Sequence, residues 1–239
     1  MTLIEELVQS LAPEPNEARV FVLNPADPMG EIIRATASGD DLKRCEKIQD
    51  LDTRDSALTG AGLLRIAAAA LTGDDVADVS IVRDVMGRPS IRGHERSQLD
   101  INMSRRVGCV AVLVSRGSRC GVDIERVVAG AEHAQILDAL KELGVEVGVN
   151  TSGDSIYRRW CAIEAVLKAD GRGLRDGVSV LDRVSEDEAI EKWRCDGETW
   201  VVRAIPIEGS YVGAVALGEG VRLRCLSMCF EGIEVTSSV

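Results

Sequence analysis

Apolar residues fall in two rhythms along this chain. Short alternating or continuous apolar runs at Ala18–Leu23, Val79–Arg83 and Cys109–Val114 predict strands, the last of them a buried one. Between the first two, longer stretches predict helices over Gly39–Leu51 and Thr53–Leu71. Thr53 or Asp55 is placed to cap the second helix, and Thr72-Gly73 to end it. Gly121-Val-Asp-Ile-Glu125 alternates strictly, and a strand repeats every two residues. Asp123 and Glu125 therefore share one face, and Val122 and Ile124 the other. A helix over Ala131–Leu143 follows, then a polar, glycine-containing loop over Gly144–Asp154. The next helix begins near Ser155, capped by Asp154 or Ser155, and stops at Gly171. Val178–Val184, Thr199–Ala204 and Tyr211–Leu217 complete the predicted strands. Strand, helices and strands thus occur twice, which suits an α+β fold of two halves packed side by side. The halves are residues 1–119 and 120–239, with the junction near Arg119-Cys-Gly121.

Within the second half, Glu164 and Lys168 are four apart on the predicted helix and so share a face. Asp123, Glu125, Glu164 and Lys168 can meet where that strand faces that helix. Three carboxylates suit a hard divalent cation, and the adjoining ammonium suits a phosphate carried by it. Each motif also has a plainer reading. Acidic outer residues on an alternating strand describe a solvated edge, and a Glu–Lys pair at this spacing describes a surface ion pair.

Composition narrows the setting. A length of 239 residues accommodates one large domain or two small ones, and 45% apolar with 28% charged residues is ordinary for a globular chain. Aromatic residues are only 3%, so the core is built from Val, Leu, Ile and Ala. Seven cysteines without a Cys-x-x-Cys pair read as reduced, mostly buried thiols of a cytoplasmic protein. Zinc is disfavoured, with only His94 and His133 on hand. The N-terminus lacks the basic start and apolar run of a secretory signal, and Ile66–Leu71 and Cys109–Val114 are too short to cross a bilayer. A net charge of −11 argues against nucleic acid as the main partner.

The motifs together resemble the 4′-phosphopantetheinyl transferases of the surfactin-synthetase-activating type. That family carries a Gly-hydrophobic-Asp-hydrophobic-Glu strand, followed some forty residues later by a Trp-x-x-Lys-Glu-Ala-x-x-Lys-x-x-Gly-x-Gly-Leu helix. Here these read Gly121-Val-Asp-Ile-Glu125 and Trp160-Cys-Ala-Ile-Glu-Ala-Val-Leu-Lys168 through Gly171-Arg-Gly-Leu174. Two earlier family marks, Gly-Lys-Pro and Asn-x-Ser-His, read Gly87-Arg-Pro89 and Asn102-Met-Ser-Arg105. The likeness runs from about Asp41 to the C-terminal strands.

The resemblance implies a pseudo-two-fold pair of similar α+β halves with coenzyme A in the cleft between them. It implies Mg²⁺-dependent transfer of the phosphopantetheine arm of coenzyme A to a serine of an apo acyl or peptidyl carrier protein, releasing 3′,5′-adenosine bisphosphate. Asp123, Glu125 and Glu164 would hold the metal, with Asp123, Glu164 and Lys168 at the reacting diphosphate. Arg44, Arg54, Arg88, Ser104, Arg105 and Lys168 would contact coenzyme A. Some relatives use a further glutamate after the strand, for which Glu142 and Glu146 are both candidates. Arg158, Arg159, Arg172 and Arg175 are candidates for a basic patch facing an acidic carrier. A monomer suffices, since one chain supplies both halves.

Three positions depart from the family pattern. Arg105 replaces its histidine, Ile163 replaces a helix lysine, and Ser56 stands where an arginine contacts the nucleotide, with Arg54 close by. Compensation would fall to Arg105, Arg54, Lys43 or Arg44, and a lysine at 163 is expected to restore a cation to the cleft. The alternatives are a catalytically silent relative that binds a carrier, coenzyme A or a partner subunit, and an enzyme acting on another diphosphate.

Overall fold

A computed structural model of the protein describes residues 2–94, 97–145, 152–171, 181–186, 190–229 and 232–238. The chain opens with α1 (Leu3–Leu11), started by a reciprocal cap in which Thr2 and Glu5 each accept from the other's amide. Strand β1 (Glu17–Leu23) leads to α2 (Pro28–Arg34), α3 (Gly39–Cys45) and the long α4 (Leu51–Thr72). The helix expected over Gly39–Leu51 ends early, at Cys45. The Asp50 carboxylate accepts from the Thr53 amide and starts a new helix instead, so Asp50 is the cap of α4, not Thr53 or Asp55. Gly73, at φ 81°, closes it as expected.

The second stretch runs β2 (Ile81–Arg83), β3 (Pro89–Ile91), β4 (Leu99–Arg106), β5 (Cys109–Arg116) and β6 (Cys120–Arg126). Helices α5 (Ala131–Glu142) and α6 (Gly153–Asp170) follow, and Ser152 caps α6 in place of the expected Asp154 or Ser155. Strands β7 (Leu181–Glu186), β8 (Glu191–Cys195), β9 (Glu198–Ala204), β10 (Tyr211–Gly218), β11 (Arg222–Cys229) and β12 (Gly232–Ser238) complete the chain. The expected strand over Val178–Val184 begins outside the described residues, and its described part belongs to β7.

The α+β class is borne out. Two five-stranded sheets, ordered β12-β11-β1-β5-β4 and β6-β10-β9-β8-β7, form the two inner layers. Ala18, Val20, Ala111 and Leu113 of the first sheet pack between the sheets against Val122, Ile124, Val215 and Leu217 of the second. The alternate residues Phe21, Leu23, Val110 and Val112 face α1, α2 and α4. Val212, Ala214 and Ala216 face α5 and α6. Covered on both sides, β5 needs apolar residues at both parities, hence its continuous run.

Sheet membership does not divide at residues 119 and 120. After β10 the chain returns, and β11 pairs in parallel with β1. Buried Glu17 anchors that return by meeting Arg19, Arg222 and Arg224. Six cysteines, Cys45, Cys109, Cys120, Cys161, Cys195 and Cys225, are buried and form no disulfide. Among the described residues, no helix is long and apolar enough to cross a membrane.

Candidate functional site

The site lies where β4 and β6, edge strands of the two sheets, meet, and β4 places it. Every second side chain of β4 reaches β6. The Asp100 carboxylate accepts from the Cys120 amide at 2.7 Å, and the Asn102 amide oxygen accepts from the Val122 amide at 3.1 Å. Ser104 Oγ donates to Asp123 Oδ1 at 2.9 Å, and Arg106 Nε donates to Glu125 Oε2 at 2.6 Å. Side chains here replace a backbone ladder between two strands of different sheets, and they fix the register of the acidic strand.

From the other side, α6 comes unusually close. A Cβ on Gly121 would sit 2.0 Å from the Ala165 carbonyl oxygen and 2.5 Å from the Ala169 amide nitrogen. Only glycine permits that approach. It brings Lys168 Nζ to 2.7 Å from Asp123 Oδ1 and 3.2 Å from the Val122 carbonyl oxygen. The alternation read from the sequence holds: Asp123 and Glu125 turn toward α6, only 3% and 6% exposed, while Val122 and Ile124 enter the inter-sheet core. They do not line a solvated edge.

The three acids differ in their partners. Both Glu125 oxygens are held by Arg106, and Trp160 Nε1 adds a bond at 3.3 Å to Oε1. Asp123 Oδ1 is shared by Ser104 and Lys168, but its buried Oδ2 accepts no hydrogen bond. The neighbouring Cys161 thiol is pushed well up, by burial first and then by Asp123 and Glu125. Glu164 has no hydrogen bond or ion pair among the described residues. Burial raises its pKa, with Asp123 adding to the effect, Lys168 opposing it and Glu125 adding further. The carboxylates are therefore within electrostatic reach of one another.

Cavities adjoin this cluster. One of about 220 Å³ is lined by Arg83, Met103, Glu164 and Lys168 among others. A second, of about 450 Å³, shares Met103 and Lys168 and adds Thr53, Ser56, Ser104, Arg105 and Arg106. A third, of about 200 Å³, shares Arg83 and adds Asp41 and Arg44. The three cavities neighbour one another, the first sharing wall residues with each of the other two. Burial and the nearby Arg44 both depress the Arg83 pKa, and burial, Arg44 and Arg106 depress that of Arg105. Positive charge is thus gathered locally in a chain of net charge −11, with Arg44 paired to Asp41 and Arg106 to Glu125.

No family model matches the chain, and no curated protein matches it either.

Of the residues expected to touch a phosphorylated ligand, Lys168, Ser104, Arg105, Arg44 and Arg88 line these cavities. Ser104 spends its proton on Asp123 and so positions that acid. Arg44 pairs with Asp41 at 2.6 Å. Arg54 is half-buried on α4 and lines none of these three cavities. Arg88 lines the cavity beside Glu164 and Lys168 and is also tied to the fold. Its guanidinium turns inward to Asp100 Oδ2 at 2.5 Å, the Cys120 carbonyl at 3.1 Å and the Lys168 carbonyl. It fastens the β2–β3 hairpin to β4, β6 and α6, and its donors are committed there. Ile163 is fully buried in the core of the second half, so a lysine there would place its ammonium in that core and not in the cleft.

Among the described residues, no three His, Cys, Asp or Glu side chains form a ready cation cage. Two of the acids are also neutralised internally, Glu125 by Arg106 and one oxygen of Asp123 by Lys168. What is left for a divalent ion is Asp123 Oδ2 and the Glu164 carboxylate. That donor set fits Mg²⁺, which takes one or two carboxylates and completes its shell with water and phosphate oxygens.

Other expected residues lie elsewhere. Arg158 is exposed and Arg159 stacks 5.7 Å over the Trp193 ring. Glu142 is exposed at the end of α5. Glu146, Arg172, Gly173, Leu174 and Arg175 fall outside the described residues. Sequence reasoning missed Arg83, Asp100, Arg106 and Trp160. The signal for two of them was present, since Asp100, Asn102, Ser104 and Arg106 alternate along β4 with Leu99, Ile101 and Met103.

Proposed function

We propose that this protein transfers the 4′-phosphopantetheine arm of coenzyme A to a serine hydroxyl of an apo acyl or peptidyl carrier protein. The observation that carries the reading is the pairing of arginine-lined cavities with a buried acid, Asp123, that keeps one oxygen free beside the unpaired Glu164 and Lys168. The serine oxygen bonds to the phosphorus that bears the pantetheine, and the hydroxyl proton passes to the phosphate oxygen of the departing adenosine bisphosphate. The bond from that phosphorus to the bridging oxygen breaks, and 3′,5′-adenosine bisphosphate leaves with the electron pair.

Such a transfer needs placement and charge stabilisation more than covalent help. Lys168, partly exposed beside Asp123, supports the diphosphate from the helix. Arg44, Arg83 and Arg105 supply positive charge for the remaining phosphates. Asp123 Oδ2 and Glu164 would hold Mg²⁺, which supplies further positive charge at the diphosphate. Ser104 and Lys168 hold Asp123 in place for that task.

The test is incubation with coenzyme A, Mg²⁺ and a panel of apo carrier proteins, read by intact mass. Gain of one phosphopantetheine unit, abolished by Asp123→Asn, supports transfer. Coenzyme A binding without mass gain favours the second reading, a silent relative. That reading draws on Arg88, whose donors are spent on the fold, and on the apolar burial of Ile163.

A further inference from the structure

We propose that Arg106 is the built-in cation of Glu125, so that a divalent ion binds this chain through Asp123 and Glu164 alone. The inference rests on the transferase reading only for the identity of the ion. Three observations carry it. Arg106 takes both Glu125 oxygens, through Nε at 2.6 Å and through its terminal nitrogen. Trp160 Nε1 seals Oε1 from the helix side at 3.3 Å. Glu125 is only 6% exposed, so an incoming ion would have to displace a guanidinium from a nearly dry carboxylate. By contrast, Asp123 Oδ2 is buried with no partner, and Glu164 borders the adjoining cavity unpaired.

The interaction is mutual. The Glu125 carboxylate, first by hydrogen bond and then by charge, and next Asp123, outweigh burial and hold the Arg106 guanidinium more firmly charged. A forked guanidinium on a carboxylate satisfies two donors and two acceptors at once, which an ammonium does not. Arg106 also lines the larger cavity, so its outer edge faces the ligand space. The residue thus delivers at Glu125 a fixed positive charge that needs no ion from solution. Metal affinity is correspondingly low, since one of three available carboxylates is withheld.

Mn²⁺ binding to the full chain, followed by loss of the free-ion EPR signal, decides the matter. Glu125→Gln removes no ligand but leaves the Arg106 charge unpaired, so it weakens Mn²⁺ by only a few-fold, whereas Asp123→Asn and Glu164→Gln each weaken it by about tenfold or more. Arg106→Met frees Glu125 and tightens Mn²⁺ by about tenfold, and the double variant Arg106→Met/Glu125→Gln loses that gain. Arg106→Lys covers the case in which Arg106→Met does not fold. It keeps a cation without the fork, and Mn²⁺ then binds more tightly than to the parent by a smaller factor. The proposal is overturned if Glu125→Gln weakens Mn²⁺ as much as Asp123→Asn does. It is equally overturned if neither Arg106 variant tightens binding, including the case in which no variant binds the ion. Carrier mass gain is read separately: transfer with a failed Mn²⁺ pattern sinks only the role of Arg106, and the expected pattern without coenzyme A binding sinks only the transferase.

Discussion

Replacing Gly121 by alanine tests whether the close approach of β6 and α6 is what assembles the site. The added Cβ would lie 2.0 Å from a carbonyl oxygen and 2.5 Å from an amide nitrogen, both backbone atoms of α6. Backbone does not rotate aside, so the helix must retreat by roughly 1.4 Å to reach van der Waals contact. Overpacking of this kind costs about 1–3 kcal/mol, which for a chain of this size lowers Tm by roughly 2–12 °C. The same retreat carries Lys168 Nζ from 2.7 Å to about 4 Å from Asp123, beyond a hydrogen bond. Losing a charge-assisted bond costs about 1.5–3 kcal/mol, and a misplaced ammonium weakens coenzyme A by roughly tenfold or more. Thermal unfolding and calorimetric titration with coenzyme A, on one preparation, measure both effects. A variant with unchanged Tm would refute the steric argument. Lowered Tm with unchanged coenzyme A affinity would show that the approach packs the core without positioning the lysine.

Three other outcomes are expected. Asp41→Asn removes the charge that strengthens the reciprocal cap of α3 and pairs with Arg44, costing about 1 kcal/mol at neutral pH by chemical denaturation. Burial raises the Asp41 pKa, but its hydrogen bonds with Ser38 and the charge of Arg44 outweigh that and leave it below 3.8; the loss is therefore full above pH 3.8 and disappears as pH falls through the depressed value. A loss unchanged below pH 2 would contradict this. Ile163→Lys buries an ammonium in a dry core and destabilises by several kcal/mol, with no gain in coenzyme A affinity; a stable variant that binds more tightly would place residue 163 in the cleft. Burial pushes the Cys109 thiol up to about 12, so iodoacetamide at pH 8 leaves it unmodified in the native protein and modifies it after denaturation; native labelling at Cys109 by peptide mass would refute its burial.

Legibility in the sequence followed the range of the interactions. Strand β6 and helix α6 each declare themselves within a few residues, through alternation in one and the Glu164–Lys168 spacing in the other. Their meeting at Asp123 was therefore foreseeable. Helix ends were less so, because Asp50, Thr53 and Asp55 all have capping chemistry and only geometry selects Asp50. Strand β11 carries a plain alternation of Arg222, Leu223, Arg224 and Cys225, yet its partner β1 lies some two hundred residues away in sequence, and nothing local names it. The destinations of Arg88 and Arg106 were equally closed to sequence. An arginine beside a turn or at a strand end points outward by default, and it turns inward here only because Asp100 and Glu125 arrive from elsewhere in the fold.

The return of β11 to β1 has a consequence for biosynthesis. Residues 17–23 leave the ribosome some two hundred residues ahead of residues 222–229, and one flank of that strand stays unpaired until these emerge. The nascent first sheet must wait with an open edge while the intervening residues are made, the condition under which strands recruit wrong neighbours. Glu17, destined for a dry site among three arginines, spends that interval in water with only Arg19 made, so the lock closes last.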